Sequence, residues 1–539
     1  MYAVRWSGRR IRSRGENAGQ INVLQPGTSA LLTIAALSLM LTACGTGGSK
    51  SGSSLLHMTV SSTQNPLVAQ VEVGSECSGQ AMVEFGPDTT YGRNTSWYPL
   101  TALQPLDIQV AGMRASTMYH MRVQRQCQGE DSTGNDTTFT TGAPPSTPFP
   151  AIQVSRPNPP PNASENPGIE LVDLIAPTSN QIQALFTDRD ANPIWYYQTD
   201  PSYYPYTFKL LQNGHFLFSM ANAGGDSLIR EVDLAGNAIR ELDITVLEQR
   251  MQSAGFNFVP TGYHHDFLPL DNGHLIVLTN VVQNFTDLAG YPGTIQVVGD
   301  ALIDLDENWN PVWAWNGFDH LDVNRHLYGL PDWTHANAVI YSPNDGDLLL
   351  SMRHQSWILK IDYNNGAGTG NVLWKLGYQG DFQLAQGDDP SLWFSFQHFP
   401  SLISQSGSQT TLAVWDNGDY RPLDTSGTIC NVPGPPNCYS RATVFQVDES
   451  AMVANLLWQD SPNLFSVWGG SINQLANGNI EFDLNAPEEP PAPNVASEVQ
   501  EVTQTSTPQI IWKMDLPLPM NAYRAYRVPS LYPGVSWQY

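Results

Sequence analysis

Along this chain, apolar and polar positions change places in short runs bounded by Gly, Pro, Asn and Asp, the pattern of strands and turns rather than of helices. From residue 168 onward one phrase recurs: an opening residue, a short strand, a turn and a second strand. It reads YTFKLLQNGHFLF from Tyr206, HDFLPLDNGHLIVL from His265, HANAVIYSPNDGDLLLS from His335, HFPSLISQSGSQTTLAV from His398 and GSINQLANGNIEF from Gly470. The openings stand 59 to 72 residues apart. Each copy runs on into an outer strand pair such as GDALIDLDENWNPVWAWNG or SWILKIDYNNGAGTGNVLWKLG, in which an Asp precedes a turn and a Trp closes the last strand. Four strands per copy predict the blades of a β-propeller. Ile169 to Tyr197 supplies outer strands ending in Pro193-Ile194-Trp195 but no opening phrase, and the C-terminal run YRAYRVPSLYPG from Tyr523 is the missing inner strand. Closing the ring in this way predicts six blades. The stretch NAPEEPPAPNVASEVQEV from Asn485 reads as a surface insertion within the last of them.

Ahead of the repeats, residues 58–142 alternate in shorter runs with turns such as Phe85-Gly86-Pro87-Asp88. Val110-Ala111-Gly112-Met113 followed by Tyr119-His120-Met121-Arg122-Val123 resembles the tyrosine corner and next strand of a fibronectin type III-like sandwich. The expected fold class is all-β: a six-bladed β-propeller over 169–539, preceded by a small fibronectin type III-like β-sandwich over 58–142 that serves as a spacer or packing module. Residues 143–168 are proline-rich and are read as a linker between the two.

Residues 1–43 do not belong to the fold. Arg5, Arg9, Arg10, Arg12 and Arg14 make a basic start, and Leu31 to Leu41 an apolar run too short to span a bilayer. Leu41-Thr42-Ala43-Cys44-Gly45 resembles the lipobox at which bacterial lipoproteins are cleaved and acylated. The expectation is a signal peptide over 1–43, a lipid on Cys44, a tether over 44–57, and an exported protein anchored to a membrane and facing the periplasm or the cell surface.

Charge narrows the partners. The chain has 50 acidic against 25 basic residues, a formal net charge of −25, and processing would remove mainly arginine. Such a surface repels nucleic acid and anionic membranes, so no nucleic-acid partner is expected, and any anion site must supply its own positive field. With Cys44 lipidated, Cys77 and Cys127 fall in the small domain, while Cys430 and Cys438 bracket a Pro/Gly loop. Two disulfides in an oxidising compartment are expected, against the blander reading of four buried thiols.

In a propeller the innermost strands line one channel, so the openings of successive repeats face each other. His265, His335 and His398 share that position on three consecutive repeats. Arg353 lies on the second strand of the His335 repeat, and Asn337, two residues past His335, projects to the same side. A lone histidine at a strand end is ordinarily structural, but three at equivalent positions make that reading harder to hold. Three neutral imidazoles also suit zinc with one open position. A guanidinium beside them would repel a divalent cation, so no metal is expected, and Arg with His suits an oxyanion better. His264 competes with His265 for the channel, since alternation turns one of them inward. His354 should point away into the packing, and His215 and His274, each after an Asn-Gly turn, should be solvated. Tyr206, Tyr263, Trp333, Phe396 and Tyr526 lie near the openings and are candidates to stack on an aromatic ligand, with Tyr526 retained as a binding residue beside His264 and Asn337. Tyr523 and Arg524 carry less weight.

The succession GYHHDFLPLDNGHLIV, DWTHANAVIYSPNDGDLLLSMRHQSWILKID and WFSFQHFPSL resembles the bacterial arylsulfate sulfotransferases, which move sulfuryl groups between phenols without a nucleotide sulfate donor. The resemblance spans the whole repeat region. It implies that His398 is the nucleophile and that His265, His335 and Arg353 bind the sulfate group. It also implies aryl sulfate donors, phenolic acceptors and no cofactor. In that family an acidic residue often follows the nucleophile, whereas here Phe399 does, which bears on how the imidazole is turned. The implied chemistry is ping-pong: an imidazole attacks sulfur, an N-sulfohistidine stores the group, and a second phenol takes it. Two other readings stand beside it, an aryl sulfate hydrolase in which water resolves the intermediate, and a surface propeller that binds without turnover. The sequence leaves homo-oligomerisation open.

Overall fold

The computed structural model describes residues 56–538 apart from 128, 147–148, 158–162, 176–181, 183, 199–202, 223–225, 432–437, 463 and 488–493. The expected signal peptide, Cys44 and the tether up to residue 55 lie outside the described residues. The chain is all-β, 53% strand against 5% helix.

Two sheets come first. Leu56–Ser62, Ala69–Ser75 and Leu106–Val110 form one, and Gly79–Gly86 with Met118–Cys127 centre the other. Strict alternation along Met118–Cys127 buries Tyr119, Met121 and Val123 against Val71, Val73 and Ile108. The Tyr119 hydroxyl accepts from the Arg114 N–H at 2.9 Å, the upstream backbone bond of a tyrosine corner. Cys77 is bonded to Cys127, and Cys430 to Cys438. These two sheets pack against the rest of the chain instead of standing off from it. The C-terminal tail crosses them: Trp537 sits edge-on to Phe85 at 5.8 Å and donates to Asn94 O, and the Tyr532 hydroxyl donates to Gln109 O at 2.9 Å.

Six further sheets of four or five strands complete the fold among the described residues. Local chemistry explains their regularity. Three of the hairpins use one turn: the Leu211, Leu270 and Leu475 N–H groups donate to His215 O, His274 O and Asn479 O, and their carbonyls accept from Gly214, Gly273 and Gly478 N–H, around Asn213-Gly214, Asn272-Gly273 and Asn477-Gly478. The glycines have φ of 83°, 85° and 87°, a conformation a Cβ would strain. Other hairpins share a second device, in which Asp188, Asp233 and Asp306 accept from the backbone N–H four residues on, at Asn192, Asn237 and Asn310. The closing tryptophans then reach the next sheet. Trp195 Nε1 donates to Leu234 O, Trp315 Nε1 to Gly370 O, Trp458 Nε1 to Thr505 O, and Trp512 Nε1 returns to Arg189 O of the first sheet. Each of these indoles is nine-tenths buried or more, worth about 1.5–3 kcal/mol of apolar transfer apiece. Asn521–Val528 pairs antiparallel with Ile169–Ile175, the partner expected for the C-terminal strand.

Two expectations are corrected. Val495–Val502 is not part of a surface insertion but an interior strand, paired on both sides and almost wholly buried. Its carboxylates misled because they are neutralised from afar: Glu501 accepts from Arg527, and Glu498 from Lys513 at 2.9 Å. Gln153–Ser155, within the expected linker, is the outer strand on Ile510–Pro517. Three extended residues need no more than a free sheet edge, which proline-rich flanks conceal.

Candidate active site

The histidines sit where strands enter the sheets irregularly. His265 interrupts the pairing of Pro260–Pro269, and His335 immediately precedes Ala336–Ser342, whose pairing also shifts at its start. Their φ values of 49° and 50° are left-handed, a conformation that costs a non-glycine residue about 1–2 kcal/mol. The two imidazoles meet edge to face, ring centroids 4.7 Å apart. His398 opens His398–Ser406 and is 2% exposed.

Around His398 the hydrogen bonds fix one tautomer. Asn417 Nδ2 donates to Ser466 O at 2.7 Å and to Gly469 O at 3.1 Å, so its Oδ1 is the atom facing His398 Nδ1 at 2.7 Å. A carbonyl oxygen only accepts, so Nδ1 carries the proton and Nε2 the lone pair. The Gly469 N–H points at that lone pair from 3.2 Å. Burial pushes the His398 imidazole well below its ordinary pKa; the Arg353 guanidinium and His335 add to this, and Asn417 opposes it. The ring is therefore neutral at neutral pH.

Arg353 lies beside it, in the turn Arg353–Gln355. Its Nη2 donates to Val467 O at 2.8 Å and its Nη1 to His354 Nε2 at 2.7 Å, while its Nε is buried with no partner. An orphan N–H of a buried cation is costly, of order 1–3 kcal/mol or more, and fits a site whose missing group is an anionic oxygen. His335 is oriented by Asp332, whose Oδ2 lies 2.7 Å from Nδ1. Burial alone would raise the Asp332 carboxyl, but His335, His354 and Arg353 together hold it well below the usual carboxylate range.

The remaining candidates divide. His264 and His265 meet Nδ1 to Nδ1 at 2.8 Å, and His264 Nε2 lies 3.0 Å from Asp300, so His265 faces His335 and His264 backs it. Asn337 Nδ2 is spent on Gln397 O at 2.7 Å, which fastens the backbone next to His398. Tyr526 lies elsewhere: its ring stacks on Phe399, its hydroxyl donates to Phe208 O, and it lines a cavity of about 520 Å³ with Lys209 and Tyr532. Tyr523 takes the expected place instead, its ring 6.0 Å from His265 and 6.3 Å from His398, its buried hydroxyl unpartnered and pushed up to about 12 by burial. His354, expected to point away, stacks on His335 at 4.5 Å, because the turn at Arg353 ends the alternation of the strand. His215 and His274 are not simply solvated but pair with Glu231 and Asp304. Tyr263 and Trp333 belong to the packing, whereas Phe396 lies under Arg353 at 5.0 Å. Sequence reading missed Asn417, Asp332 and the Gly469 N–H.

Asp332, His335 and His354 also gather closely enough to hold a metal ion. The donor set does not suit one. His354 Nδ1 donates to Asp332 O at 2.9 Å and its Nε2 accepts from a guanidinium, which leaves that ring no lone pair for a cation.

Residues 155–527 match the family model Arylsulfotransferase (ASST). The chain belongs to the arylsulfotransferase family. That membership supports aryl sulfotransferase activity and aryl sulfate and phenol substrates. The family match contains His265, His335, Arg353, His398 and Asn417 alike. No curated protein sequence matches the chain significantly. Among solved structures, a protein of unknown function from Bacteroides caccae is similar at 9% identity and TM-score 0.39, over 67% of this chain and 98% of that one. A Synechocystis ACO mutant is similar at 10% identity and TM-score 0.32, over 89% and 97%. A polysaccharide lyase of family PL25, an ulvan lyase, is similar at 11% and 0.30, over 56% and 69%.

Proposed function

We propose that this arylsulfotransferase moves a sulfuryl group from an aryl sulfate ester to a phenol in two half-reactions through an N-sulfohistidine on His398. The observation that carries the reading is the locked neutral imidazole, its lone pair on Nε2, beside an arginine with a buried donor to spare. Nε2 attacks sulfur; an N–S bond forms as the bond from sulfur to the aryl oxygen breaks, and the phenolate leaves with that electron pair. The departing phenolate takes a proton and the acceptor phenol later gives one back, with His335, held by Asp332, as the shuttle. The acceptor oxygen then attacks sulfur and the N–S electrons return to Nε2. Negative charge grows on the sulfonate oxygens in both steps, and Arg353 Nε is the donor that meets it, with His265 completing the pocket, while the Gly469 N–H that rests on Nε2 is released as that lone pair bonds to sulfur. Storage on the chain removes any need for a nucleotide sulfate donor.

The same reading takes the six sheets as a six-bladed propeller, with a fibronectin type III-like sandwich ahead of it. The indole bonds from sheet to sheet and the closure of Asn521–Val528 onto Ile169–Ile175 support it. An exported, lipid-anchored protein is supported by the lipobox at Cys44 and by the two disulfides.

Incubating purified protein with a chromogenic aryl sulfate, with and without added phenol, tests the reading. Release that depends on the acceptor is expected. Acceptor-independent release would make the protein a hydrolase, and no release at all a binding protein.

Two further results are expected. Asn417→Ala removes the group that holds the ring, and misalignment of a reacting atom by an ångström costs about 10²-fold, so kcat should fall by that order with little change in KM for the donor. Steady-state kinetics at saturating donor check it, and an unchanged kcat would remove Asn417 from the account. Protonated His398 cannot attack, so kcat/KM should fall as pH drops through its depressed pKa, placing the acid limb well below an ordinary imidazole's 6.5. A pH profile with its acid limb at or above that value would contradict the buried, neutral nucleophile.

A further inference from the structure

Resting on the sulfotransferase reading, we infer that the exposed rings of Tyr328 and Tyr420, with Phe396 beneath them, are the platform on which the aryl group lies, and that it selects planar acceptors of more than one ring. Tyr328 and Tyr420 remain 51% and 43% exposed although their rings meet edge-to-face at 5.8 Å. Phe396 lies under both, 5.8 Å from Tyr328 and 5.1 Å from Tyr420, and presents its face to the Arg353 guanidinium. Tyr328 also stacks on His354 at 4.3 Å, and His354 in turn on His335. An aromatic path thus descends from solvent to the residues around His398.

Both rings ride on pinned backbone. The Tyr328 loop is held by Arg325, whose Nη1 donates to Gln355 O at 2.8 Å and Oε1 at 2.7 Å, and whose guanidinium lies 3.6 Å over Trp357. The Tyr420 loop is held by the fully buried Arg421–Asp416 ion pair at 2.7 Å and by Cys430 N–H donating to Arg421 O. It begins at Asn417, so the segment that orients His398 also carries the ring. Tyr420 has a φ of 49°, a conformation that glycine adopts freely and a bulky residue adopts at a cost in backbone energy. A strained and rigidly held aromatic that stays 43% exposed is poorly explained by packing. It is well explained by a ring that must be ready to stack on another. The two rings stand at 80° to each other, a floor and a wall, and a fused second ring reaches both where a single phenol covers only one, which favours an extended aryl group.

Steady-state kinetics with phenol and with 2-naphthol as acceptors test this, alongside mass spectrometry of the His398 peptide after donor addition. The unaltered protein should show the lower KM for 2-naphthol. Tyr420→Gly removes the ring while easing the backbone, and it and Tyr328→Ala should each raise the KM for 2-naphthol about ten-fold, the scale of one lost aromatic pair, and narrow the preference over phenol. Tyr420→Phe should restore it, and the sulfuryl adduct should still form in every variant at saturating donor. An adduct in all variants with an unchanged 2-naphthol to phenol KM ratio would overturn the platform and leave the transfer reading standing. Absence of the adduct from the unaltered protein would sink the transfer reading, and the platform with it.

Discussion

His398→Ala is expected to abolish the sulfuryl adduct and to lower aryl sulfate turnover by roughly 10⁴–10⁶-fold, the loss seen when a covalent nucleophile is deleted from a site whose other parts remain. The argument rests on Nε2. It is the lone pair that the Asn417 and Gly469 bonds single out, and burial with Arg353 keeps it unprotonated. Truncation has a structural cost as well, because Asn417 Oδ1 loses its donor in a buried setting, about 1–3 kcal/mol. His398→Asn separates the two effects. Its amide nitrogen falls near the position of Nδ1 and can still donate to Asn417, but it has nothing at Nε2. The Asn variant should therefore melt close to the unaltered protein and be as inactive as the Ala variant. Peptide mass spectrometry after quenching, with thermal unfolding in parallel, measures both. An adduct that persists in either variant would move the chemistry to another residue.

What could be read from the chain was whatever local chemistry writes. The Asn-Gly and Asp-to-Asn turns repeat because each satisfies its own backbone within five residues, so they announce the sheets without reference to anything distant. Three histidines at the openings were visible for the same reason. Residues that depend on long-range partners were not. Asn417 sits in WDNGDY and reads as a turn; its role comes from Ser466 and Gly469, some fifty residues on. Val495–Val502 looked like surface because Glu498 and Glu501 are charged, and their neutralising partners, Lys513 and Arg527, come later in the chain. Tyr523 and Tyr526 share one strand, but the pairing of Asn521–Val528 with Ile169–Ile175 skips Tyr523, and an irregularity imposed by a long-range partner cannot be counted out by alternation. His354 escapes strand alternation because the strand ends at Met352, two residues before it, and the turn at Arg353 sets its direction.

Arg353→Ala should lower the rate of sulfuryl transfer by roughly two to four orders of magnitude, the range for a charge stabiliser acting in a water-poor site. The effect should fall on kcat more than on donor KM, since the charge it meets is larger in the transition state than in the bound ester. Arg353→Lys tests geometry against charge. Arg353 splits its fork between Val467 O and His354 Nε2 and keeps Nε for the substrate, and an ammonium on a flexible stem cannot hold all three directions at once. Lys should thus recover a minor part of the lost rate. The pH profile supplies an independent sign. Arg353 is, after burial, the largest cause of the depressed His398 pKa, so its removal by Ala should move the acid limb of kcat/KM upward, toward the ordinary imidazole value. A purely structural arginine would lower activity without moving that limb. A rate loss confined to KM, with the acid limb in place, would leave Arg353 as a substrate anchor and take the transition-state role away from it.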